Sequence, residues 1–195
     1  MSIKVITAPD SELITVVEAA EFMRIDSYSS ETTTISALIT AARQWCEEYL
    51  GRAIGIQTLE VILDSFPLRG IVLRSPVISV TSVKYLDTSN VQQTLVEDTD
   101  YYIAEDSEPG LIKPVSAWPN TLNIADAIRV RYQAGYQAAG DSPLLSAELP
   151  STIKTAMLML ISDMYENREA QVEKVLNANP TVERLLSMYR LEMGI

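Results

Sequence analysis

Hydrophobic residues recur every three or four positions near the start of the chain. Over residues 31–50 this spacing predicts an amphipathic helix. Its apolar stripe consists of Ile35, Leu38, Ile39, Ala42, Trp45, Cys46 and Tyr49. Ser29 or Ser30 is expected to cap this helix, and Gly51 is expected to end it. A shorter helix is predicted over about residues 16–23, because Thr15 and Glu18 have the spacing of a capping box.

The same helical period returns at the other end of the chain. One helix is predicted from Pro150 to about Arg168, since proline suits a first turn. Its stripe consists of Ile153, Ala156, Met157, Leu160, Ile161 and Met164. A last helix is predicted with Asn179 as its cap and Pro180 at its first position. Its apolar face consists of Val182, Leu185, Leu186, Tyr189 and Met193. Residues 134–148 are predicted to form a loop, and residues 170–179 a hinge.

Between these helices the pattern changes to short stretches rich in β-branched and aromatic residues, separated by turn-forming residues. Strands are predicted over residues 57–66, 71–73, 78–85, 93–96, 101–103 and 127–132. We expect five to seven antiparallel strands in a small sheet or sandwich. Helices, then strands, then helices predict an α+β fold, a small helical bundle with an inserted antiparallel β subdomain. The expected parts are residues 1–55 (N-terminal helices), 56–136 (β subdomain) and 137–195 (C-terminal helices and tail).

Charge and cysteine content narrow the class of protein. The 195 residues carry 26 acidic and 15 basic side chains, a net charge of −11, which repels nucleic-acid phosphates. A single cysteine allows no disulfide within the chain, which fits a reducing compartment. The first residues do not resemble a signal peptide, and no apolar run approaches the length of a membrane span. We therefore expect no membrane association.

The chain contains no histidine, which removes the commonest general base and metal ligand. The remaining candidates for chemistry are the acidic residues Glu97, Asp98, Asp100, Glu105, Asp106 and Glu108. Clustered carboxylates can hold Mg²⁺ or Ca²⁺, but their spacing fits no calcium loop, and we interpret them as a solvated loop face. Cys46 is interpreted as a small buried core residue. The sequence thus predicts no catalytic, metal or cofactor site and no enzymatic activity.

Several short stretches occur in a characteristic order along residues 10–170. They are residues 45–53 (WCEEYLGRA), 63–67 (LDSFP), 76–80 (PVISV), 118–119 (WP), 128–136 (IRVRYQAGY), 150–154 (PSTIK) and 165–169 (YENRE). As an ordered set they resemble the head–tail connector, or adaptor, proteins of tailed phages. The residues singled out by this resemblance, with expected structural roles, are Trp45, Tyr49, Gly51, Arg52, Trp118, Tyr165, Glu166 and Arg168.

The resemblance implies a bundle with a β insert that assembles into a ring, typically of twelve subunits. Such a ring docks beneath the portal protein of the virion, extends the DNA channel and offers a platform to a downstream head-closure or tail protein. It implies location in the virion neck after assembly in the bacterial cytoplasm. DNA would pass through the lumen without specific binding, and we expect acidic residues to line it.

The end of the last helix is predicted to contact the portal, because chain ends stay frayed unless docked and methionine-rich faces adapt to partners. The residues predicted to do so are Leu185, Met188, Tyr189, Arg190, Met193 and Ile195. The competing interpretation is that this helix packs on its own bundle.

Other classes of function remain open from the sequence. One is a head-closure or tail-terminator protein of the same neck, although such proteins are usually smaller and mostly β. Another is a metal-dependent hydrolase that uses the acidic cluster. A third is a regulatory binding domain that forms no ring.

Overall fold

A computed structural model describes residues 1–104, 107–138, 146–167 and 179–191. In these ranges the chain forms four helices: α1 (Val16–Met23), α2 (Thr32–Leu50), α3 (Ser151–Glu166) and α4 (Pro180–Ser187). It also forms eight strands: β1 (Ser2–Thr7), β2 (Gln57–Leu63), β3 (Ile71–Leu73), β4 (Val77–Leu86), β5 (Gln92–Leu95), β6 (Tyr101–Ala104), β7 (Gly110–Pro114) and β8 (Ile128–Ala134). The predicted α+β class is confirmed.

The N-terminal helices begin and end for local reasons. The hydroxyl of Thr15 accepts a hydrogen bond from the backbone N–H of Glu18 at 3.1 Å, and the Glu18 carboxylate accepts one from the N–H of Thr15 at 2.9 Å. This confirms the predicted capping box. The predicted serine cap of α2 is wrong: Glu31 occupies the cap position and makes no side-chain capping bond. Gly51 ends α2 in the left-handed conformation (φ 66°), as predicted.

The C-terminal helices also follow their local signals. Helix α3 starts directly after Pro150, and the side chain of Asn179 caps α4 by accepting the N–H of Thr181 at 3.0 Å. Residues 139–145 of the predicted loop and nearly all of the predicted hinge lie outside the described residues. Among the helices that the structure describes, none combines the length and the apolar character that a membrane crossing requires.

The four helices share one core. Apolar side chains from all of them meet in a cluster that is closed at one end by Ile54 and Tyr136. The most buried are Ile35, Ala42, Cys46, Leu50, Ile153, Ala156, Met157, Ile161, Val182 and Leu186. Every stripe predicted for these helices contributes to this core. The core therefore joins helices from both ends of the chain.

The strands form two antiparallel sheets. The larger sheet has the order β1-β2-β8-β4-β5, and the smaller has the order β3-β7-β6. Strands β2 and β8 pair in register from Gln57 with Ala134 to Leu63 with Ile128. Alternate residues of β2 and β8 join β3 and β7 residues in a second core. This core consists mainly of Leu59, Val61, Ile71, Leu73, Val83, Ile112, Ile128, Val130 and Tyr132.

Two strands were not predicted. Strand β1 pairs with β2, although residues 1–55 had been assigned to helices alone. Because five of its six residues are exposed, β1 lacks the alternation of buried and exposed positions that identifies a strand. Strand β7 begins at Gly110 and ends at Pro114, two residues that usually signal turns.

Candidate functional site

Arg52 lies at the junction between the helical bundle and the β subdomain, two residues after the end of α2. Its guanidinium is buried and donates to the backbone oxygen of Tyr189 at 2.6 Å. It also forms a forked pair with the Glu108 carboxylate, at 2.9 and 2.7 Å, and donates to the Tyr136 hydroxyl at 3.2 Å. One side chain thus links α2, the segment after α4, and two parts of the β subdomain.

The charges at this junction stabilise one another. The hydrogen bond from Arg52 lowers the pKa of Glu108 below its usual range, against a weaker opposing effect of burial. Burial favours loss of the Arg52 proton, but the bond to Glu108 and the nearby oxygens outweigh it, so the pKa of Arg52 rises. Burial raises the pKa of the Tyr136 hydroxyl, which Arg52 partly offsets. At neutral pH the junction is therefore a fully ionised pair beside a neutral phenol.

A second buried charged group lies on the same boundary. Glu47 of α2 accepts from Arg43 at 2.8 Å, from the N–H of Ile54 at 2.9 Å and from the Gln57 amide at 2.6 Å. Arg43 also pairs with Glu12 at 2.9 Å. The Glu47 carboxylate accepts hydrogen bonds from a backbone N–H and from the side chain of Gln57, the first residue of β2. It therefore orients that strand against the bundle.

The segment after α4 is held against the end of α2. The N–H of Leu191 donates to the oxygen of Leu50 at 2.8 Å. The Arg190 guanidinium lies 5.3 Å from the centre of the Tyr49 ring, which in turn stacks on Trp45 at 5.4 Å. Cation–π contacts of this kind are worth about 0.5–1 kcal/mol at exposed sites. The 45–53 stretch and the C-terminal helix, predicted separately, therefore meet.

Among the residues predicted to contact the portal, those that the structure describes divide into two groups. Leu185 and Tyr189 are partly buried on the bundle core, whereas Met188 is 69% exposed. Arg190 is also exposed, and Met193 and Ile195 lie outside the described residues. The helix packs on its own bundle, as the competing interpretation expects, and Met188 directly after it is exposed, so contact with the portal stays a prediction.

The other residues singled out by the resemblance lie elsewhere. Trp118 stacks on Phe66 at 4.5 Å and donates to the oxygen of Pro67 at 3.2 Å, in the β subdomain. Tyr165 donates to Glu31 at 2.7 Å, which joins α3 to the start of α2. Glu166 is exposed at the end of α3, and Arg168 lies outside the described residues. These side chains support separate contacts and do not form a single site.

The acidic cluster is not one site in the described part of the chain. Glu108 is turned towards Arg52, and the Asp100 carboxylate accepts the N–H of Val96 at 2.8 Å. Glu105 and Asp106 lie outside the described residues. Among the residues that the structure does describe, no three acidic, histidine or cysteine side chains are placed to hold a metal ion. The pairing of Glu108 with Arg52 was missed, because 56 residues separate the two.

Cys46 is fully buried in the bundle, as predicted. Burial, with a smaller contribution from Glu47, raises the pKa of its thiol to about 12. The thiol is therefore protonated and unreactive at neutral pH, which agrees with a packing role.

The described residues thus form an α+β protein in which buried charged side chains connect a helical bundle to a β subdomain. The sequence matches the profile of the Head completion protein family over residues 12–190. The chain belongs to this family, and the predicted assignment to the head–tail connector proteins of phage necks is confirmed.

Individual relatives agree with this assignment. The chain is 37% identical to head completion protein gp6 of Enterobacteria phage HK97 over 46 residues, which are 24% of this chain. The match spans 43% of the length of that relative.

Solved structures resemble the whole fold. A chain in the neck of an empty gene transfer agent particle, computed with C6 symmetry, has a TM-score of 0.77 at 18% identity, over 100% of this chain and 98% of that chain. A chain in the neck of a native particle, computed with C12 symmetry, has a TM-score of 0.75 at 17% identity with the same coverage. At this identity the likeness concerns the fold.

Proposed function

We propose that this chain is an adaptor: copies of it form a ring beneath the portal protein of a phage or phage-like particle. The ring extends the DNA channel and gives a downstream head-closure or tail protein its attachment surface. Its role is structural, without catalysis, cofactor or specific DNA binding. It acts in the virion neck after assembly in the bacterial cytoplasm. The observation that carries the proposal is the full-length fold match to neck chains of particles computed with C6 and C12 symmetry.

The portal contact is assigned to α4 and the residues that follow it. Val182 and Leu186 anchor one face of α4 in the bundle core, while Met188, directly after the helix, is exposed to solvent. Arg52 and the oxygen of Leu50 fix the backbone just after this helix. A helix held on one face and free on the other suits docking into an apolar groove of a partner. The contact set proposed is Leu185, Met188, Tyr189, Arg190, Met193 and Ile195.

The channel surface is assigned to acidic side chains. Four basic residues share the outer face of the five-stranded sheet, as its register requires: Lys4, Lys84, Arg129 and Arg131. Among the described residues of this face, the acidic residue that opposes them is Glu60, which is buried and pairs with Arg129 and Arg131. Because cations displace phosphate counterions and make DNA adhere, this face is expected to turn away from the lumen.

The test is to mix the protein with the portal ring of its own genome and to image the complex by electron microscopy. The expected result is an additional ring at the tail-side exit of the portal, with α4 against the portal and the basic sheet face outside the channel. Absence of a ring would overturn the adaptor role. A ring whose lumen is lined by Arg129 and Arg131 would overturn the channel assignment alone.

Two variants test the portal contact. Met188→Glu and a chain ending at Leu191 should each fold normally, since neither removes a described contact, and should bind the portal at least about tenfold more weakly, which is about 1.4 kcal/mol. Val17→Glu is the matched control, because Val17 is a similarly exposed apolar residue of α1. Unchanged portal affinity in both test variants would contradict the assignment of the contact to α4.

A further inference from the structure

The five-stranded sheet has two open edges. Within the described part of the chain, β1 pairs with β2 alone and β5 pairs with β4 alone. An edge strand leaves half of its backbone N–H and C=O groups without a partner strand, and such an edge is a template for pairing with another chain. Five of six residues in β1 and three of four in β5 are exposed. Both edges are therefore accessible.

Both edges also carry exposed apolar side chains. On β1, Val5 is 56% exposed and Ile6 is 43% exposed. On either side of β5, Val91 is 53% exposed and Val96 is 58% exposed. Branched aliphatic residues favour paired strands. Joining the two edges would remove this apolar surface from water, which favours their association.

The charges on the two edges are complementary. Residues 1–7 contain Lys4 and no acidic residue. Residues 87–100, which include β5, contain Asp87, Glu97, Asp98 and Asp100 and no lysine or arginine. Two copies of the β5 edge would repel each other, whereas the β5 edge of one copy attracts the β1 edge of another. A second copy of this chain is therefore the occupant that the surface fits.

The topology determines how such copies would pair. Each strand in the order β1-β2-β8-β4-β5 is antiparallel to its neighbour, so β1 and β5 run in the same direction. Subunits related by the small rotation of a ring keep nearly the same orientation, and their contacts join two different surfaces. We propose that β5 of each subunit pairs with β1 of the next in a parallel ladder, so that one sheet continues around the ring. This inference rests on the ring proposed above.

The proposal is tested by cross-linking the assembled complex with the portal. Ser2 and Thr94 are exposed on the same face of the sheet, one on each edge strand. Ser2→Cys and Thr94→Cys, combined in one chain, should give a ladder of multimers with a short flexible bis-maleimide. The native thiol of Cys46 is fully buried, so the natural chain is the control and should not react. Each single variant should give no cross-linked multimers.

A matched pair of charge variants tests the complementarity. Val5→Glu should reduce ring assembly about tenfold more than Val5→Lys, because glutamate repels the acidic β5 edge. Loss of the valine side chain affects both variants equally, so the difference reports charge.

The outcomes separate this inference from the proposed function. Rings without the ladder from the double variant would overturn the strand pairing and leave the adaptor role in place. Dimers from Ser2→Cys alone would show two-fold pairing of β1 with β1, which also overturns it. If no ring forms on the portal, both proposals fail together.

Discussion

The helical bundle and the β subdomain are built in contrasting ways. The bundle core joins α1 and α2 to α3 and α4, helices from opposite ends of the sequence. The β core is drawn mainly from one continuous stretch, between Ala53 and Ala134. Closing the bundle therefore requires the two ends of the chain to meet, at an entropic cost that grows slowly with the length of the segment between them. The β subdomain is that segment, so the boundary between the two regions is where both ends of the chain meet it.

That boundary differs in chemistry from both cores. The cores are apolar, whereas the boundary holds the buried residues Arg43, Glu47, Arg52 and Gln57. Apolar packing is nondirectional, but a buried charge needs partners at defined positions. We infer that the cores provide cohesion and that the boundary sets the orientation of the bundle relative to the sheets. The following variants test this division, from the largest expected effect to the smallest.

Gly135→Ala should have the largest effect. Gly135 has φ +137°, and an added Cβ would lie 2.1 Å from the backbone oxygen of Gly55, where β8 leaves the sheet beside the bundle. To relieve this clash, the backbone must move at Gly135, at Gly55 or at both. We therefore expect a loss of about 3 kcal/mol or more in the free energy of unfolding. Denaturant unfolding measures it. Gln133→Ala, at an exposed neighbouring position, should change stability by less than about 0.5 kcal/mol.

Arg52→Ala should separate the two regions. It leaves the Tyr189 oxygen, the Tyr136 hydroxyl and Glu108 without their donor. Breaking a fully buried ion pair lowers the free energy of unfolding by about 3–5 kcal/mol. Because the Glu108 side chain is 57% exposed, we expect a smaller loss in the free energy of unfolding, of about 2 kcal/mol.

The chain offers a probe for each region, since Trp45 lies in the bundle and Trp118 in the β subdomain. Single-tryptophan variants made by Trp45→Phe and Trp118→Phe should unfold in one shared transition. With Arg52→Ala added, the bundle should unfold at a lower denaturant concentration than the β subdomain. Coincident transitions in that background would contradict the proposed coupling through Arg52, and Arg184→Ala, at an exposed site, is the control.

Tyr165→Phe should have a smaller effect, confined to the bundle. It removes the 2.7 Å hydrogen bond from α3 to Glu31 at the start of α2. A partly buried bond to a carboxylate is worth about 1 kcal/mol. The Trp45 signal should report this loss. An unchanged midpoint would mean that this bond contributes nothing to the joining of the two helices.

The pH dependence should give the smallest effect. The bond from Arg52 lowers the pKa of Glu108 from its usual 4.5, so the unfolded chain binds the proton more readily. The stabilisation is present above pH 4.5 and is lost as the pH falls through the lower pKa of the folded protein. Because Glu108 is largely exposed, the effect should be a few tenths of a kcal/mol. Unfolding between pH 3 and 6 should be less pH-dependent in Glu108→Gln.

Much of the fold could be predicted because its signals are local. The capping box at Thr15, the stop at Gly51 and the cap at Asn179 each depend on residues within four positions of one another. The apolar stripes of the helices follow from the spacing of hydrophobic residues at the helical period alone. Prediction failed for two strands whose local signals do not indicate a strand. β7 begins with a glycine and ends with a proline, and β1 has no buried face of its own.

The candidate site was predicted only in pieces. The 45–53 stretch and the end of α4 are identified separately, since nothing local relates Arg52 to Tyr189, 137 residues away. Glu108 was assigned to a solvated acidic cluster, because a carboxylate in a loop carries no sign of a distant partner. An ion pair of this kind can be identified only when the fold brings its members together.

The sequence by itself determined the α+β class, the helices and most strands, the buried state of Cys46 and, through its ordered motifs, the family. Each of these depends on neighbours along the chain or on short segments that keep their own pattern. Only the tertiary structure decided the order of the five-stranded sheet with its two open edges, the junction around Arg52 and which face of α4 stays exposed. These features join residues far apart in the chain, and their free energy depends on the distances and burial that packing creates.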